Sequence, residues 1–385
     1  MNKLPGFGLI ERARALAPLI AQEADEIERT RRLTQPVVSA LIENGLYRAV
    51  LPQSLGGAEA PPEIFMQMLE EVAKADASTA WCLGQCSVCA MTAAWLDADA
   101  AREIFARPTD ILAWGAIANE VHAVPGGYRA TGRWNFASGS RQASWLGAHV
   151  QVVEADGTRR RGPGGALEIR TILFPASSAT MYDVWDVIGL KGTGTDSYSV
   201  DNLFIPEKFA ALRDEPTALR EQGQLYRLPT NLVYAQGFAA VSVGVARATL
   251  DAAIELSRGK TPQGLKAMRE NNAVQGQIGR LEGNLRAARA YLYATTREVW
   301  GDLTRSGTVT EEHRMALRLA TTWTIHQAAA VVDVAYHMAG ATAVFSANRF
   351  ERRFRDMHAI AQQLQARDSH YEDVGKAILS TPPGV

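Results

Sequence analysis

The hydrophobic period of this chain changes twice, and that change bounds what the chain can fold into. From Ile10 to about Ala106 apolar residues recur at helical spacing. From Ile111 they fall into short runs separated by turn signals, and after Glu207 helical spacing returns and persists almost to the end. A helical period gathers apolar side chains on one stripe, whereas a period of two sends alternate residues to opposite faces of a strand. The order predicts an α+β chain, mainly α, with an N-terminal helical domain over 1–110, a central antiparallel β-domain over 111–225 and a C-terminal four-helix bundle over 226–385. At 385 residues the chain is long enough for two or three units sharing a large core, since single cores rarely grow past about 250 to 300 residues.

Local signals fill in this plan. Thr34 reads as a helix N-cap with Pro36 in the first turn, and Asn44-Gly45 closes that helix. Pro125-Gly126-Gly127 and Asp156-Gly157 mark hairpin turns, and Arg159-Arg160-Arg161 reads as a solvated charge run in a hairpin loop. Leu232 to Ile254 is the most apolar stretch. Gln236, Arg247 and Asp251 interrupt it, so it reads as a buried helix and not a membrane span. The first six residues lack the pattern of a secretory signal, three cysteines fit a reducing interior, and the expected location is the cytoplasm. With 40 basic against 41 acidic residues, no nucleic-acid-binding surface is expected. The tail Thr381 to Val385 is expected to be loose.

One stretch, Gly132 to Ser140, stands out chemically. Read as a strand, it puts Trp134, Phe136 and Ser138 on one face. Two rings and a hydroxyl suit a planar cofactor, with the hydroxyl donating to a ring heteroatom, but they equally suit a core strand that ends in a turn. Gly189 to Thr195 is rich in backbone donors and either lines a cofactor edge or shapes a strand connection. It is not a phosphate-binding P-loop, because a strand comes after it. Cys82, Cys86 and Cys89 share a helical face between Ser78 and Leu96, which reads as buried thiols and not a cluster site. The seven histidines are scattered, so no metal site is expected, and neither a nucleophile elbow nor a dinucleotide fingerprint occurs. Arg355-Asp356 is either a structural ion pair at a helix end or a means of holding Gln362-Gln363 over a cleft.

Three motifs, in this order of elements, resemble the acyl-CoA dehydrogenase fold over nearly the whole chain: Trp134 to Gly139, Trp185 to Thr195, and Arg355-Asp356 with its sequel. The resemblance implies a flavin between the β-domain and the bundle, and a homotetramer in which a neighbouring bundle completes the site. A dehydrogenase of this fold needs a carboxylate base. The matching positions hold Tyr234 and Leu364, neither of which serves, although Glu351 and Glu372 lie nearby in sequence.

The phrasing from Gly126 to Gly139 is similar to the two-component flavin-dependent monooxygenases (group D) of the fold. These take reduced FMN or FAD from a separate NAD(P)H:flavin reductase and form a C4a-hydroperoxide with O2, which must be shielded from water. On this reading the substrate is a small, aromatic molecule. Trp134, Phe136 and Ser138 line the flavin, Thr193 and Gly194 its edge, and Arg355 its C-terminal cover, while Cys89 and Gln363 face the substrate. The residues implied in catalysis are Ser138, Gln363 and His358. Several members use histidines where this chain has Gln362, Gln363 and Cys89, and a glutamine is no base near neutral pH. The alternatives are an acyl-CoA dehydrogenase-like FAD flavoprotein with a displaced base, and a flavin-binding or assembly protein that has lost catalysis.

Overall fold

Five helices open the chain: α1 (Gly8–Thr30), α2 (Gln35–Glu43), α3 (Pro62–Ala75), α4 (Ala77–Ala90) and α5 (Ala98–Ile104). The computed structural model describes residues 8–116, 119–162 and 164–380; the tail from Thr381 and the end of the expected strand Ile111 to Ala118 lie outside them. Pro36 does sit in the first turn of α2, but the hydroxyl of Thr34 makes no capping bond and is buried without a partner. The cap on α4 is genuine. Asp76 accepts from both the backbone N–H and the hydroxyl of Thr79 at 2.7 Å, which satisfies free donors of the first turn. Helix α4 stops at Ala90 and continues to Trp95 only as a tighter turn. Its three cysteines are free and buried, and burial pushes the Cys82 and Cys89 thiols up to about 12, so both stay protonated near neutral pH.

The middle of the chain forms one sheet from β1 (Leu112–Trp114), β2 (Asn119–Val124), β3 (Gly127–Ala137), β4 (Trp145–Val153), β5 (Ile169–Pro175), β6 (Thr180–Tyr182), β7 (Asp196–Pro206) and β8 (Ala210–Ala211). The strand order is β6-β7-β3-β2-β4-β5-β8, with β1 also paired to β4. Pairing is antiparallel except where β1 and β2 run parallel to β4. The arginine run is more engaged than expected: Arg159 pairs with Glu120, and Arg160 with Glu154.

Strand β3 departs from strict alternation. Trp134 lies opposite Tyr198 and Ala137 opposite Asp196, so one extra residue is accommodated on β3, and Phe136 takes a left-handed φ of 62°. The bulge splits the expected face. Trp134 is fully buried, stacked on Tyr198 at 5.7 Å, and donates its indole N–H to the His149 carbonyl at 3.2 Å. Phe136 is 58% exposed. Trp134 is therefore a core residue of the β-domain and not part of a cofactor wall.

Helices α6 (Thr230–Gly259), α7 (Asn272–Ser306), α8 (Glu311–Ala339), α9 (Arg349–Ala361) and α10 (Ser369–Ser380) complete the chain. Helix α6 is long and apolar enough to cross a membrane, yet it is mostly buried against α3, α8 and α9. The first four helices form the bundle, and α10 packs on α8. One apolar core runs without a break from α1 to the turn after α9.

Candidate functional site

Where the sheet meets α4, a chain of hydroxyls is enclosed. Thr193 Oγ1 donates to the Leu190 carbonyl at 2.8 Å and lies 2.7 Å from Thr195 Oγ1; Thr195 Oγ1 lies 2.7 Å from Ser138 Oγ; and the Trp81 indole N–H donates to Ser138 Oγ at 3.1 Å. The Leu190 carbonyl also accepts from the Thr193 N–H at 3.1 Å, so the hydroxyl protons can run along this chain in either direction. With the Thr193 proton on Leu190, Thr195 donates to Thr193 and Ser138 to Thr195. In that direction Ser138 keeps one free lone pair and no free proton. The expected donor is, in this arrangement, an acceptor.

This chain of bonds is held by the loop from Trp185 to Thr195. Leu190 has a left-handed φ of 52° and Gly194 one of 49°. The Leu190 N–H donates to Asp356 at 2.6 Å, and the Trp185 indole donates to the Leu190 carbonyl at 3.0 Å. A Cβ on Gly189 would lie 2.0 Å from the Arg355 carbonyl oxygen, so glycine lets α9 pack directly against the loop. Arg355 pairs with Glu351 at 2.7 Å and Glu28 at 2.8 Å and donates to the Ile188 carbonyl. Its guanidinium thus ties α9 to α1 and the loop, and the expected ion pair with Asp356 does not form, because Asp356 faces the Leu190 N–H instead. Burial beside Asp76 raises the Asp356 carboxyl to about 8.

A second wall faces the seam between sheet and bundle. Trp81 stacks on Phe238 with ring centroids 3.8 Å apart, and Phe238 on Tyr234 at 5.9 Å. The Tyr234 hydroxyl lies 3.3 Å from Cys89 Sγ. Burial holds the Tyr234 phenol well above its usual range. The wall continues to Trp114, whose ring lies 5.1 Å from that of His149, and burial pushes the His149 imidazole down to about 3. Every one of these groups is neutral near neutral pH. Asp196, next after Thr195, is held by Arg141 at 2.7 Å.

Of the residues singled out in the sequence, Ser138 and Thr193 meet in the hydroxyl chain, with Gly194 in its connecting turn. Phe136 lies beside them, with its ring exposed. Cys89 lies on the second wall. Gln363 does not join it: its Oε1 accepts from the Gln365 N–H at 2.9 Å, its Nε2 is enclosed and unpaired, and the turn it begins packs on α8. His358 is on α9, paired with Asp333 at 3.0 Å and roughly two-fifths exposed, with no bond to either wall. Sequence reasoning missed Trp81, Phe238 and Trp114, over whose ring the Arg213 guanidinium stands 4.9 Å from the centre. Thr195 carried a signal as the last hydroxyl of the glycine-rich motif, whereas the others belong to unremarkable helix and strand positions. An open cleft of about 690 Å³ lies elsewhere, between the C-terminal end of α6 and the start of α9, lined by residues including Leu256, Lys260 and Phe350. Among the described residues no group of His, Cys, Asp and Glu could hold a metal ion.

Comparison with known proteins agrees with this architecture. A family profile described as acyl-CoA dehydrogenase, N-terminal domain, matches residues 10–103, and one described as acyl-CoA dehydrogenase, C-terminal domain, matches residues 236–367. The chain is 27% identical to indole-3-acetate monooxygenase of Pseudomonas putida over 93% of its own length and 90% of that protein. It is 26% identical to the flavin-dependent monooxygenase, oxygenase subunit HsaA, of Rhodococcus jostii, over 91% and 92% of the two chains. The crystal structure of 3-HSA hydroxylase from Rhodococcus sp. RHA1 superposes with a TM-score of 0.89 at 23% identity, covering 98% of both chains.

Proposed function

Because this chain belongs to the acyl-CoA dehydrogenase superfamily, and within it to the flavin-dependent monooxygenases of that fold, we propose that it inserts one atom of O2 into a small aromatic molecule. The flavin is reduced FMN or FAD, delivered by a separate NAD(P)H:flavin reductase, and when bound it supplies the oxygen as a C4a-hydroperoxide.

The observation that carries this reading is Ser138 at the end of the hydroxyl chain, where, with the chain's protons running toward Leu190, it offers a free lone pair. A reduced isoalloxazine bears ring N–H groups that the oxidised ring lacks, and an acceptor with no proton to give suits the reduced form. Phe136 offers an exposed ring surface beside it. Trp81, Thr195 and Thr193 hold the serine in place, and the second wall beside it is neutral and mostly aromatic, as a water-free site requires. The dehydrogenase alternative needs a carboxylate, and Tyr234, which stands where one is expected, is a buried neutral phenol. The named activities of the relatives support an aromatic substrate. The exposed Val344, Phe345, Leu364, Ile378 and Leu379 of the C-terminal region support a homotetramer, and the three free thiols a cytoplasmic setting.

Anaerobic titration with both redox forms of FMN and FAD tests the reading, and admission of oxygen completes it. Reduced flavin is expected to bind more tightly than oxidised flavin, and oxygen to produce an absorbance transient that Ser138→Ala shortens about tenfold or more. Tight binding of oxidised flavin that acyl-CoA bleaches would favour the dehydrogenase instead, and an unchanged lifetime would remove Ser138 from the role.

A further inference from the structure

We propose that Arg213 binds the carboxylate of an anionic aromatic substrate. This inference rests on the oxygenation reading above and names the class of molecule that the same site takes.

Arg213 lies in the connection between β8 and α6, where the sheet hands the chain to the bundle. Its guanidinium stands 4.9 Å from the centre of the Trp114 ring. Its field is felt at Cys89, Tyr234 and His149, so it lies close to the second wall of the site. Each of those neighbours is neutral near neutral pH: a buried thiol, a buried phenol, and an imidazole that also meets Thr171 at 3.0 Å. The adjacent acid does not help. Asp214 accepts from the backbone N–H and hydroxyl of Thr230 at 3.0 and 2.7 Å and caps α6.

Arg213 consequently has no ion pair and no hydrogen bond among the described residues, and its Nη1 is sealed from solvent without a partner. Other partly buried arginines do find acceptors: Arg141, Arg160, Arg170 and Arg247 pair with carboxylates, and Arg48 and Arg353 donate to backbone carbonyls. The face of Trp114 stabilises a cation but supplies no acceptor for its N–H groups. A guanidinium kept this way is costly unless a partner arrives, and its forked donors match a carboxylate. The aromatic run from Tyr234 through Phe238 to Trp81 connects this corner to Ser138. A ligand with an aromatic body and an acidic end fits both.

The test uses acid and amide pairs of one shape, phenylacetate with phenylacetamide and indole-3-acetate with indole-3-acetamide, titrated calorimetrically into the protein holding reduced flavin without oxygen. At least one acid is expected to bind about 10- to 100-fold more tightly than its amide. Arg213→Met should abolish that preference and Arg213→Lys should retain part of it. The melting temperature of ligand-free Arg213→Met should be unchanged or higher, because an unpaired charge has gone. Equal affinity of acid and amide, an undiminished preference in Arg213→Met, no binding by either acid, or a lower melting temperature would each overturn the assignment. If the oxygen transient forms without an Arg213-dependent preference, the assignment fails and the oxygenation reading stands. If the preference persists without any transient, the reverse holds.

Discussion

The two walls of the site are built on opposite rules. On the Ser138 side nearly every polar group is matched: hydroxyl to hydroxyl, Leu190 N–H to Asp356, Arg355 to Glu28 and Glu351. On the Tyr234 side the groups are neutral and mostly apolar, and one cation is left without an anion. A saturated network holds a hydroxyl in a fixed position, whereas an unsaturated corner reserves its interaction for something that arrives. The difference separates the part of the site that must be preorganised from the part that must choose.

The strongest way to break this contrast is Gly189→Ala. The added methyl would sit 2.0 Å from the Arg355 carbonyl, with backbone on both sides. A loss of about 3 kcal/mol or more in denaturant unfolding is expected. A variant within about 1 kcal/mol of the parent would mean that the loop and α9 are not locked together.

Asp356 sharpens the same wall through pH. Its carboxyl is raised by burial and by Asp76 to about 8, above the unfolded value near 4, so the folded chain holds a proton that the unfolded chain has released. Stability from this group is present below about pH 4 and is lost as pH rises toward 8, with a limiting slope of about 1 kcal/mol per pH unit. Asparagine keeps an acceptor for the Leu190 N–H without the charge. Melting temperatures measured from pH 5 to 8 should therefore fall less steeply in Asp356→Asn; parallel curves for both proteins would exclude a buried titration.

The smallest effect belongs to a residue outside both walls. His358→Gln removes only a half-exposed pair with Asp333, worth about 0.5 kcal/mol or less, and kcat/KM is expected to stay within about twofold. A tenfold fall would bring His358 back into the chemistry.

The layer order is legible because hydrophobic period is a local property, repeated often enough to average out exceptions. The glycine-rich motif is legible as well, although only its setting shows that Thr195 completes the hydroxyl chain. The shared face expected of Trp134 and Phe136 misleads for one reason: a single extra residue on β3 reverses the faces of the residues beyond it, and composition does not reveal a bulge. Gln363 and Cys89 share one expectation, yet Gln363 is drawn to its own turn by Gln365. Arg213 carries no signal at all, since nothing in a connecting segment tells whether an arginine will find a carboxylate.

By itself the sequence determined the succession of helical, β and helical layers, the hydroxyl and glycine residues available near Ser138, and a tyrosine where a carboxylate base would be needed. Only the tertiary structure decided that Ser138 ends a chain of hydroxyls, that Trp134 belongs to the core, and that Arg213 stands alone. The reason is range. Periodicity is set by neighbours a few residues away, but the direction of a hydrogen bond and the compensation of a charge are set by whatever the fold brings alongside: Trp81 and Thr195 each 57 residues from Ser138, Cys89 145 from Tyr234, and Asp356 166 from Leu190.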